Sequence, residues 1–269
     1  MTVRRVTVPG LMAMKREGRK IVAVTAYDFT FARLLDQAGV DLLLVGDSLG
    51  MVVQGHETTL PVTLDEMIYH TRAVARGTAR ALVVCDLPFG SYHEGPESAM
   101  ASSVRALKES GCHAVKLEGG EAMAATVRFL VERGVPVIGH VGLTPQSVHA
   151  FGGFRVQGRD EAAARRITAD AESLAEAGAG AVVLEGIPAP LATTISARLP
   201  IPTIGIGAGP GCDGQVLVLY DLLGLYEGVK PRFVKEFMPG GAQVRQAVGD
   251  YAAAVREGTF PGAEHSFNS

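Results

Sequence analysis

Four apolar segments of the sequence each end in an acidic residue. They are Leu42–Asp47, Leu82–Asp86, Ala114–Glu118 and Ala181–Glu185. Short runs of Leu, Val and Ala are typical of strands buried on both faces, as in a parallel sheet covered by helices. A carboxylate at the end of such a strand is costly unless a cation or a proton partner lies beside it. We therefore expect a cation or a proton partner beside the acid at each strand end.

The four acids would do chemistry together if their strands ended at one place. Asp47, Asp86, Glu118 and Glu185 would then repel one another, and a divalent cation is the common way to neutralise such a group. No Cys or His pair has the spacing of metal ligands, so the ligands would be oxygens and a hard ion such as Mg²⁺ is favoured. The alternative is that each acid caps a helix or pairs with an Arg. That alternative suits a single acid better than four.

Two further polar residues belong to the same predicted strands. Lys116 lies two residues before Glu118, so both side chains are expected on the same side of their strand. A buried Lys among acids is suited to hold a substrate carboxylate, and a purely structural salt bridge is the alternative. His140 is predicted to end the strand Pro136–His140. It is placed to donate to a substrate oxygen, or else to be a core His satisfied by its neighbours.

Strand alternation also predicts which way two other side chains point. Asp47 is expected to share a face with Leu43 and Val45, pointing inward with them. Cys85 is out of phase with Asp86 and is therefore expected to face a helix as inert packing rather than to act as a nucleophile.

Strands and helices alternate along the whole chain, which favours a parallel α/β domain. Eight predicted strands in this length favour a (β/α)8 TIM barrel, in which the carboxyl ends of all strands meet on one face. No G-x-G-x-x-G follows the first strand, which weakens the open doubly wound alternative. We predict one barrel domain over residues 1–269, with a short leading helix at 7–18 and a C-terminal helical extension at 241–257. The strands are predicted at Ile21–Ala26, Asp41–Asp47, Ala81–Asp86, Ala114–Glu118, Pro136–His140, Ala181–Glu185, Pro202–Ile206 and Gln215–Tyr220.

Composition argues against a nucleic-acid-binding, membrane-bound or secreted protein. The chain has 269 residues and a formal charge of −3, which gives no electrostatic footprint for nucleic acid or an anionic membrane. Its three cysteines are odd in number and lack C-x-x-C spacing, as expected of free thiols in a reducing compartment. The first ten residues have no apolar stretch typical of a signal peptide, so a cytoplasmic protein is expected.

Several longer blocks of the sequence resemble the ketopantoate hydroxymethyltransferase family. The likeness runs from about residue 6 to the end of the chain, with Tyr220 at a position where the family pattern has a His. The blocks are Thr25-Ala-Tyr-Asp28, Val45-Gly-Asp-Ser-Leu-Gly50, Gln54-Gly-His56, Lys116-Leu-Glu-Gly-Gly120, Gly139-His-Val-Gly-Leu-Thr-Pro-Gln146, Gly205-Ile-Gly-Ala-Gly209 and Glu264-His-Ser-Phe267.

The resemblance implies a Mg²⁺-dependent barrel of the phosphoenolpyruvate/pyruvate type, assembled as a homo-oligomer (a decamer) and working in pantothenate biosynthesis. It implies hydroxymethyl transfer from 5,10-methylenetetrahydrofolate to 3-methyl-2-oxobutanoate through an enolate, giving 2-dehydropantoate. It also implies roles for individual residues. One Mg²⁺ per subunit would be held by Asp47, Asp86 and Glu118, the keto acid by Asp47, Ser48, Asp86 and Lys116, and Glu185 would accept the proton.

The sequence is also compatible with two other functions. The first is a related Mg²⁺-dependent C–C lyase or mutase acting on 2-oxo acids; such lyases carry a catalytic Cys in a loop after a strand, and Cys112 and Cys212 have no evident base nearby. The second is a barrel that binds a phosphorylated ligand at the glycines of Gly205–Gly211 without catalysis. Close packing of a helix explains those glycines equally well.

Overall fold

Eight parallel strands close into a barrel in the computed structural model, which describes residues 4–228 and 230–266. Each strand pairs with the next in sequence, and the eighth pairs with the first. The predicted TIM barrel is therefore confirmed. The strands are β1 Ile21–Thr25, β2 Leu42–Val45, β3 Leu82–Asp86, β4 Ala114–Glu118, β5 Val137–Gly142, β6 Ala181–Glu185, β7 Thr203–Ile206 and β8 Gly214–Leu217.

Helices follow the strands in alternation. Those of the barrel are α1 Val8–Arg16, α2 Phe29–Gln37, α3 Leu49–Val52, α4 Leu64–Gly77, α5 Pro96–Ser110, α6 Ala124–Glu132, α7 Val148–Phe151, α8 Glu161–Glu176 and α9 Ala189–Arg198. Among the described residues, none of the helices combines the length and the apolar character needed to cross a membrane.

Local sequence signals set the ends of several helices. Thr63 and Glu66 form a capping box at the start of α4: Glu66 N donates to the Thr63 hydroxyl (3.3 Å) and Thr63 N donates to the Glu66 carboxylate (2.7 Å). α5 begins at Pro96 and ends at Ser110, and its C-cap residue Gly111 adopts a left-handed φ of 80°. Asp160 caps α8 by accepting a bond from Ala163 N.

The barrel has two apolar layers. Alternate residues of the strands fill its interior, among them Leu44, Val84 and Ile138, and α1 contributes Leu11 and Met14 to the same cluster. The intervening residues of β2, β3, β4 and β6 are also fully buried, which places them between the strands and the surrounding helices, whereas Val22 of β1 and Gln215 of β8 are exposed. This burial on both faces is what the unbroken apolar runs of the sequence predicted.

The chain divides into two compact units between Val218 and Leu219. The second unit contains α10 (Leu219–Leu222) and α11 (Gly240–Glu257), and the predicted single domain over residues 1–269 stays a prediction. Within this unit Phe237 N donates to Leu222 O at 2.8 Å, and Gly240 N donates to Leu223 O at 2.9 Å. One side of α11 carries an exposed apolar row of Val244, Val248, Tyr251 and Val255.

Several predicted boundaries differ from the structure. β5 continues two residues past the predicted end at His140 to Gly142, and the segment after it contains a 3-10 turn at Pro145–Ser147 and the short helix α7. The eighth strand ends at Leu217, and the residues predicted to continue it begin α10 instead. Short helices of one turn carry too little periodicity to be recognised from sequence.

Candidate active site

Asp86 and Lys116 form a buried ion pair at the carboxyl end of the barrel. The two residues are paired in the β3–β4 ladder. Lys116 Nζ donates to both carboxylate oxygens of Asp86, at 2.7 and 2.9 Å, and both side chains are almost completely buried. Lys116 Nζ also lies 3.8 Å from Glu118 Oε1. One ammonium group therefore links two of the predicted acids, with Lys116 and Glu118 on one face of β4 as expected.

His140 connects Glu118 with Glu185 on the other side of the site. Its Nδ1 lies 3.3 Å from Glu118 Oε1, and its Nε2 lies 3.3 Å from Glu185 Oε2. Neither approach has the alignment of a hydrogen bond, and Glu118 Oε1 and both ring nitrogens are buried polar atoms without one. Glu185 keeps 15% of its side chain exposed, whereas His140 and Glu118 are enclosed. Glu185 is therefore the member of this group that a ligand at the barrel mouth can reach.

Asp47 points into the site, but not for the reason that alternation suggested. Leu42 and Leu44 line the barrel interior, so Leu43 and Val45 face the helices, and the expectation that Asp47 shares their face and points inward with them is wrong. β2 ends at Val45, and the turn through Gly46 redirects the chain. Asp47 N then donates to Asp86 Oδ2 at 3.4 Å, which brings the third predicted acid beside the second.

Ser48 follows Asp47 in the same turn and contacts the end of β1. Its hydroxyl lies 2.9 Å from the hydroxyl of Tyr27, to which Thr25 Oγ1 donates at 2.7 Å. Ser48 is partly buried, and Tyr27 is fully enclosed. The predicted site residues Asp47, Ser48, Asp86, Lys116, Glu118, His140 and Glu185 thus all lie at the carboxyl ends of the strands.

Two residues to which the sequence reasoning gave no role hold the acids in place. Gln146 Nε2 donates to Asp47 Oδ2 at 2.9 Å and to Leu87 O at 3.0 Å, while its backbone N donates to Glu118 Oε2 at 3.0 Å. The hydroxyl of Tyr92 donates to Gln146 Oε1 at 2.7 Å. Gln146 closes the block Gly139–Gln146, which was the one available signal, whereas Tyr92 lies in a loop without a distinctive pattern.

Burial and mutual repulsion govern the ionisation of the acids. Desolvation, and then the neighbouring charges of Asp86 and Glu118, raise the pKa of Asp47 well above its ordinary value. Desolvation also raises the pKa of Asp86, and the Lys116 ammonium opposes that rise. Burial and Lys116 would lower the pKa of His140, but the carboxylates of Glu118 and Glu185 outweigh them and raise it to about 9. The site therefore favours a bound cation.

The fit to a metal ion rests on oxygen donors. No three His, Cys, Asp or Glu side chains form a ready-made metal site in residues 4–228 and 230–266. Glu118 Oε1 is nevertheless a buried oxygen without a hydrogen-bond donor, and Asp47 is buried beside Asp86. Carboxylate oxygens are the ligands that Mg²⁺ prefers. Asp47, Asp86 and Glu118 are thus the residues suited to hold one.

The remaining candidates lie away from this cluster or serve packing. A Cβ at Gly209 would meet Ala189 Cβ at 2.3 Å, and a Cβ at Gly211 would meet Thr193 Oγ1 at 2.1 Å, so these glycines allow α9 to approach closely. Cys85 is fully buried, and Cys112 and desolvation raise the pKa of its thiol. Tyr220 lies in α10 of the second unit, and Phe267 of the last resemblance block lies outside the described residues.

Comparison with solved structures shows the same barrel in other enzymes. A 2,3-dimethylmalate lyase of the PEP mutase/isocitrate lyase superfamily has a TM-score of 0.63 at 19% identity, covering 98% of this chain and 89% of that chain. A phosphonopyruvate hydrolase solved with oxalate and Mg²⁺ has a TM-score of 0.61 at 14% identity, covering 96% of this chain and 92% of the other. At these identities the likeness concerns the fold alone.

Relatives with high sequence identity show the family as well as the fold. The 3-methyl-2-oxobutanoate hydroxymethyltransferase of Magnetococcus marinus is 66% identical over 264 residues, 98% of each chain. That of Methylobacillus flagellatus is 60% identical over 257 residues, 96% of this chain and 98% of the relative. Residues 5–263 match the ketopantoate hydroxymethyltransferase family, and this chain belongs to that family.

Proposed function

We propose that this protein transfers a hydroxymethyl group from 5,10-methylenetetrahydrofolate to 3-methyl-2-oxobutanoate, giving 2-dehydropantoate in pantothenate biosynthesis. Family membership supports the reaction. The observation that carries the proposal is the buried cluster in which Lys116 binds Asp86 while His140 lies between Glu118 and Glu185. The cluster contains carboxylates that can bind a cation, Asp86 and Glu118, and a carboxylate that can accept a proton, Glu185.

Asp47, Asp86 and Glu118 would hold one Mg²⁺ per subunit. Glu118 Oε1, which is buried without a hydrogen-bond donor, and the close approach of Asp47 to Asp86 support this role. When bound, the ion supplies Lewis acidity at the carbonyl oxygen of the keto acid, which makes the neighbouring C–H more acidic.

Lys116, Ser48, Asp47 and Asp86 would position the keto acid. The Lys116 ammonium, whose pKa the surrounding carboxylates raise against the effect of burial, stays charged and can pair with the substrate carboxylate. Ser48 offers a hydroxyl that is already oriented by Tyr27. Such contacts would leave C3 of the substrate facing Glu185.

Glu185 would remove the proton from C3. It is the partly exposed carboxylate of the cluster, and the imidazole of His140 lies 3.3 Å from its Oε2. A cationic imidazole at this distance stabilises the carboxylate and can orient it toward the substrate. The carbon that loses its proton would form a bond to the methylene carbon of the donor. The two carbon–nitrogen bonds of that methylene would break to release tetrahydrofolate, and water would supply the hydroxyl oxygen of the product. His140 is therefore assigned to the keto-acid site as an orienting group.

The rival reaction on the same barrel is C–C cleavage or mutase chemistry on a 2-oxo acid. The cysteines give it little support, because Cys85, Cys112 and Cys212 are all buried free thiols. Burial of that kind favours packing over nucleophilic chemistry. The same free thiols support a cytoplasmic location. The formal charge of −3 supports the further proposal that the protein works without nucleic acid or a membrane as a partner.

The family resemblance also extends the proposal to a homo-oligomer, a decamer by that resemblance. The exposed row Val244, Val248, Tyr251 and Val255 on α11 supports an interface between copies, because a stripe of this kind is unusual on a monomer surface. Light scattering of the purified protein tests this part, and a monomer at micromolar concentration would contradict it.

Proton exchange at C3 of 3-methyl-2-oxobutanoate tests the reaction directly. In deuterated water without folate, we expect Mg²⁺-dependent loss of the C3 proton signal, and EDTA should abolish it. Asp86→Asn should weaken the Mg²⁺ dependence at least tenfold. Asp65→Asn, the same change at an exposed acid, serves as the control. Absence of exchange in the wild type would overturn the transferase assignment in favour of another 2-oxo-acid reaction.

A further inference from the structure

A cavity opens beside the barrel mouth, outside the cluster described above. It has a volume of about 380 Å³ and is lined by the residues after β4, the end of β5 with its following loop, and the first turns of α8. Cavities of this size accept small organic ligands. In a (β/α)8 barrel the helix after a strand begins at the catalytic face, so α8 places its N-terminal turns on the side where the acids lie.

The wall of the cavity is directly connected to the catalytic acids. Gly119, which lines it, follows Glu118 in sequence, and its N–H donates to His140 O at 3.0 Å. Gly142, also in the wall, pairs with Glu185 in the β5–β6 ladder. A ligand in the cavity is therefore separated from Glu118 and Glu185 by single residues of the strand ends.

Part of the wall is bare backbone. Gly119 and Gly142 have φ values of 115° and 96°, a region that favours glycine. A Cβ at Gly142 would lie 2.3 Å from Glu185 O, and a Cβ at Gly120 would lie 2.0 Å from Asp170 Oδ1. No side chain can protrude at these positions, which suits a slot for a flat ligand. Phe151 adds an aromatic side to the same cavity.

Two charged side chains, one turn apart on α8, line the cavity. Asp170 is partly buried and accepts a bond from Glu121 N at Oδ1 (2.9 Å), and within the described chain its Oδ2 has no hydrogen-bond donor. Arg166 is exposed and makes no ion pair within residues 4–228 and 230–266, whereas its neighbour Arg165 pairs with Glu161. The wall thus offers a partly buried acceptor and an exposed cation.

We infer that this cavity binds the folate donor, an inference that rests on the proposed function. Asp170 would accept hydrogen bonds from the N–H edge of the bicyclic head, and Arg166 would pair with the carboxylates of the glutamate tail. This orientation follows from burial, because the charged tail needs the solvent-exposed end. The reactive carbon lies between head and tail, and so between the parts of the ligand that Asp170 and Arg166 would bind.

Binding of tetrahydrofolate, measured by calorimetry with Mg²⁺ and the keto acid present, tests the inference. We expect Arg166→Ala and Asp170→Asn each to weaken binding about tenfold or more, the effect of losing one charged hydrogen bond. Ala163→Leu, which extends a side chain into the cavity, should weaken binding as well. Arg165→Ala is the matched control and should bind as the wild type does. Wild-type affinity in both Arg166→Ala and Ala163→Leu would overturn the assignment.

A truncated ligand separates the two ends. 6-Methyltetrahydropterin has the head without the tail, so Asp170→Asn should weaken its binding while Arg166→Ala should not. Equal effects of Arg166→Ala on both ligands would contradict the assigned orientation.

Proton exchange of the keto acid, measured without folate, should stay within twofold of wild type in all these variants. If the wild-type protein itself showed no proton exchange, the proposed reaction would be refuted. The cavity would still be supported as the folate-binding site if Arg166→Ala weakened folate binding.

Discussion

The side-chain amide of Gln146 donates a 2.9 Å hydrogen bond to Asp47, a residue 99 positions away in sequence. The same Gln146 binds Glu118 through its backbone N–H. It therefore holds two of the three proposed metal ligands, one from the turn after β2 and one from the end of β4. This connection makes the positions of the acids depend on the loop that follows β5.

We expect Gln146→Ala to weaken Mg²⁺ binding about tenfold, because Asp47 loses the donor that orients it and a charged hydrogen bond contributes about 1.5–3 kcal/mol. Tyr92→Phe removes only the hydroxyl that donates to Gln146 Oε1 and should have a smaller effect in the same direction. Titration of the thermal unfolding midpoint with Mg²⁺ measures both. Gln243→Ala on the exposed surface of α11 is the control. Equal Mg²⁺ affinity in Gln146→Ala and the control would show that the amide does not position the site.

Glu185→Gln separates binding from proton removal. The amide keeps the size of the side chain but cannot accept the C3 proton, and general-base groups typically contribute about 10²–10⁴-fold to rate. We expect deuterium exchange to fall at least 100-fold while the keto acid still stabilises the Mg²⁺-loaded protein against heating. Glu257→Gln at the exposed end of α11 is the matched change. Persistence of wild-type exchange in Glu185→Gln would remove this residue from the role of base.

The fold could be predicted from sequence because its signals are local and repeated. The segments Ala114–Glu118 and Ala181–Glu185 read as buried strands, and the structure has them with the same bounds. The capping box of Thr63 and Glu66 at the start of α4 is a local signal of the same kind, contained within four residues of sequence. Strand alternation then brought Lys116 and Glu118 to one face correctly, since both lie within a regular strand.

The parts that could not be predicted depend on contacts between distant segments. Asp47 lies beyond the end of β2, where alternation no longer applies, and its orientation is fixed by Asp86 and Gln146. The hydroxyl of Tyr92, which lies in a loop without a recognisable sequence pattern, accepts a hydrogen bond from Glu118 N. Neither relationship has a sequence spacing that could reveal it, because each exists only once the barrel has closed.

The capping box of α4 gives a stability prediction with a defined pH range. Hydrogen bonds from Thr63, first from its backbone N–H, lower the pKa of Glu66 in the folded state. A lowered folded-state pKa adds stability above the unfolded-state pKa of about 4.3, and that stability is lost as the pH falls through the folded-state value. Glu66→Gln should therefore be less stable than wild type at pH 7, and the difference should shrink below pH of about 4.

Urea unfolding followed by circular dichroism at several pH values checks this prediction. Thr63→Ala, which removes the N-cap hydroxyl, should lose about 1 kcal/mol at pH 7. A Glu66→Gln difference that is constant from neutral to acid pH would rule out a contribution from the carboxylate charge.

Lys116 offers the sharpest test of whether the buried ion pair is structural or belongs to the metal site. In the structure its ammonium is the nearest cation to Asp86, at 2.7 and 2.9 Å. Lys116→Met keeps the apolar stem of the side chain but leaves Asp86 without that charge. Removing one partner of a buried pair typically destabilises a protein by about 3–5 kcal/mol. We expect a loss of this size in EDTA.

Magnesium should then restore more stability to Lys116→Met than it adds to wild type, because the ion would supply the positive charge that Asp86 lacks. Keto-acid binding should remain weak even with Mg²⁺, since the partner for the substrate carboxylate is absent. Thermal unfolding with EDTA, with Mg²⁺, and with Mg²⁺ plus 3-methyl-2-oxobutanoate distinguishes these effects. If Mg²⁺ gave the variant no more stability than it gives wild type, Asp86 would be the partner of Lys116 alone and not a metal ligand.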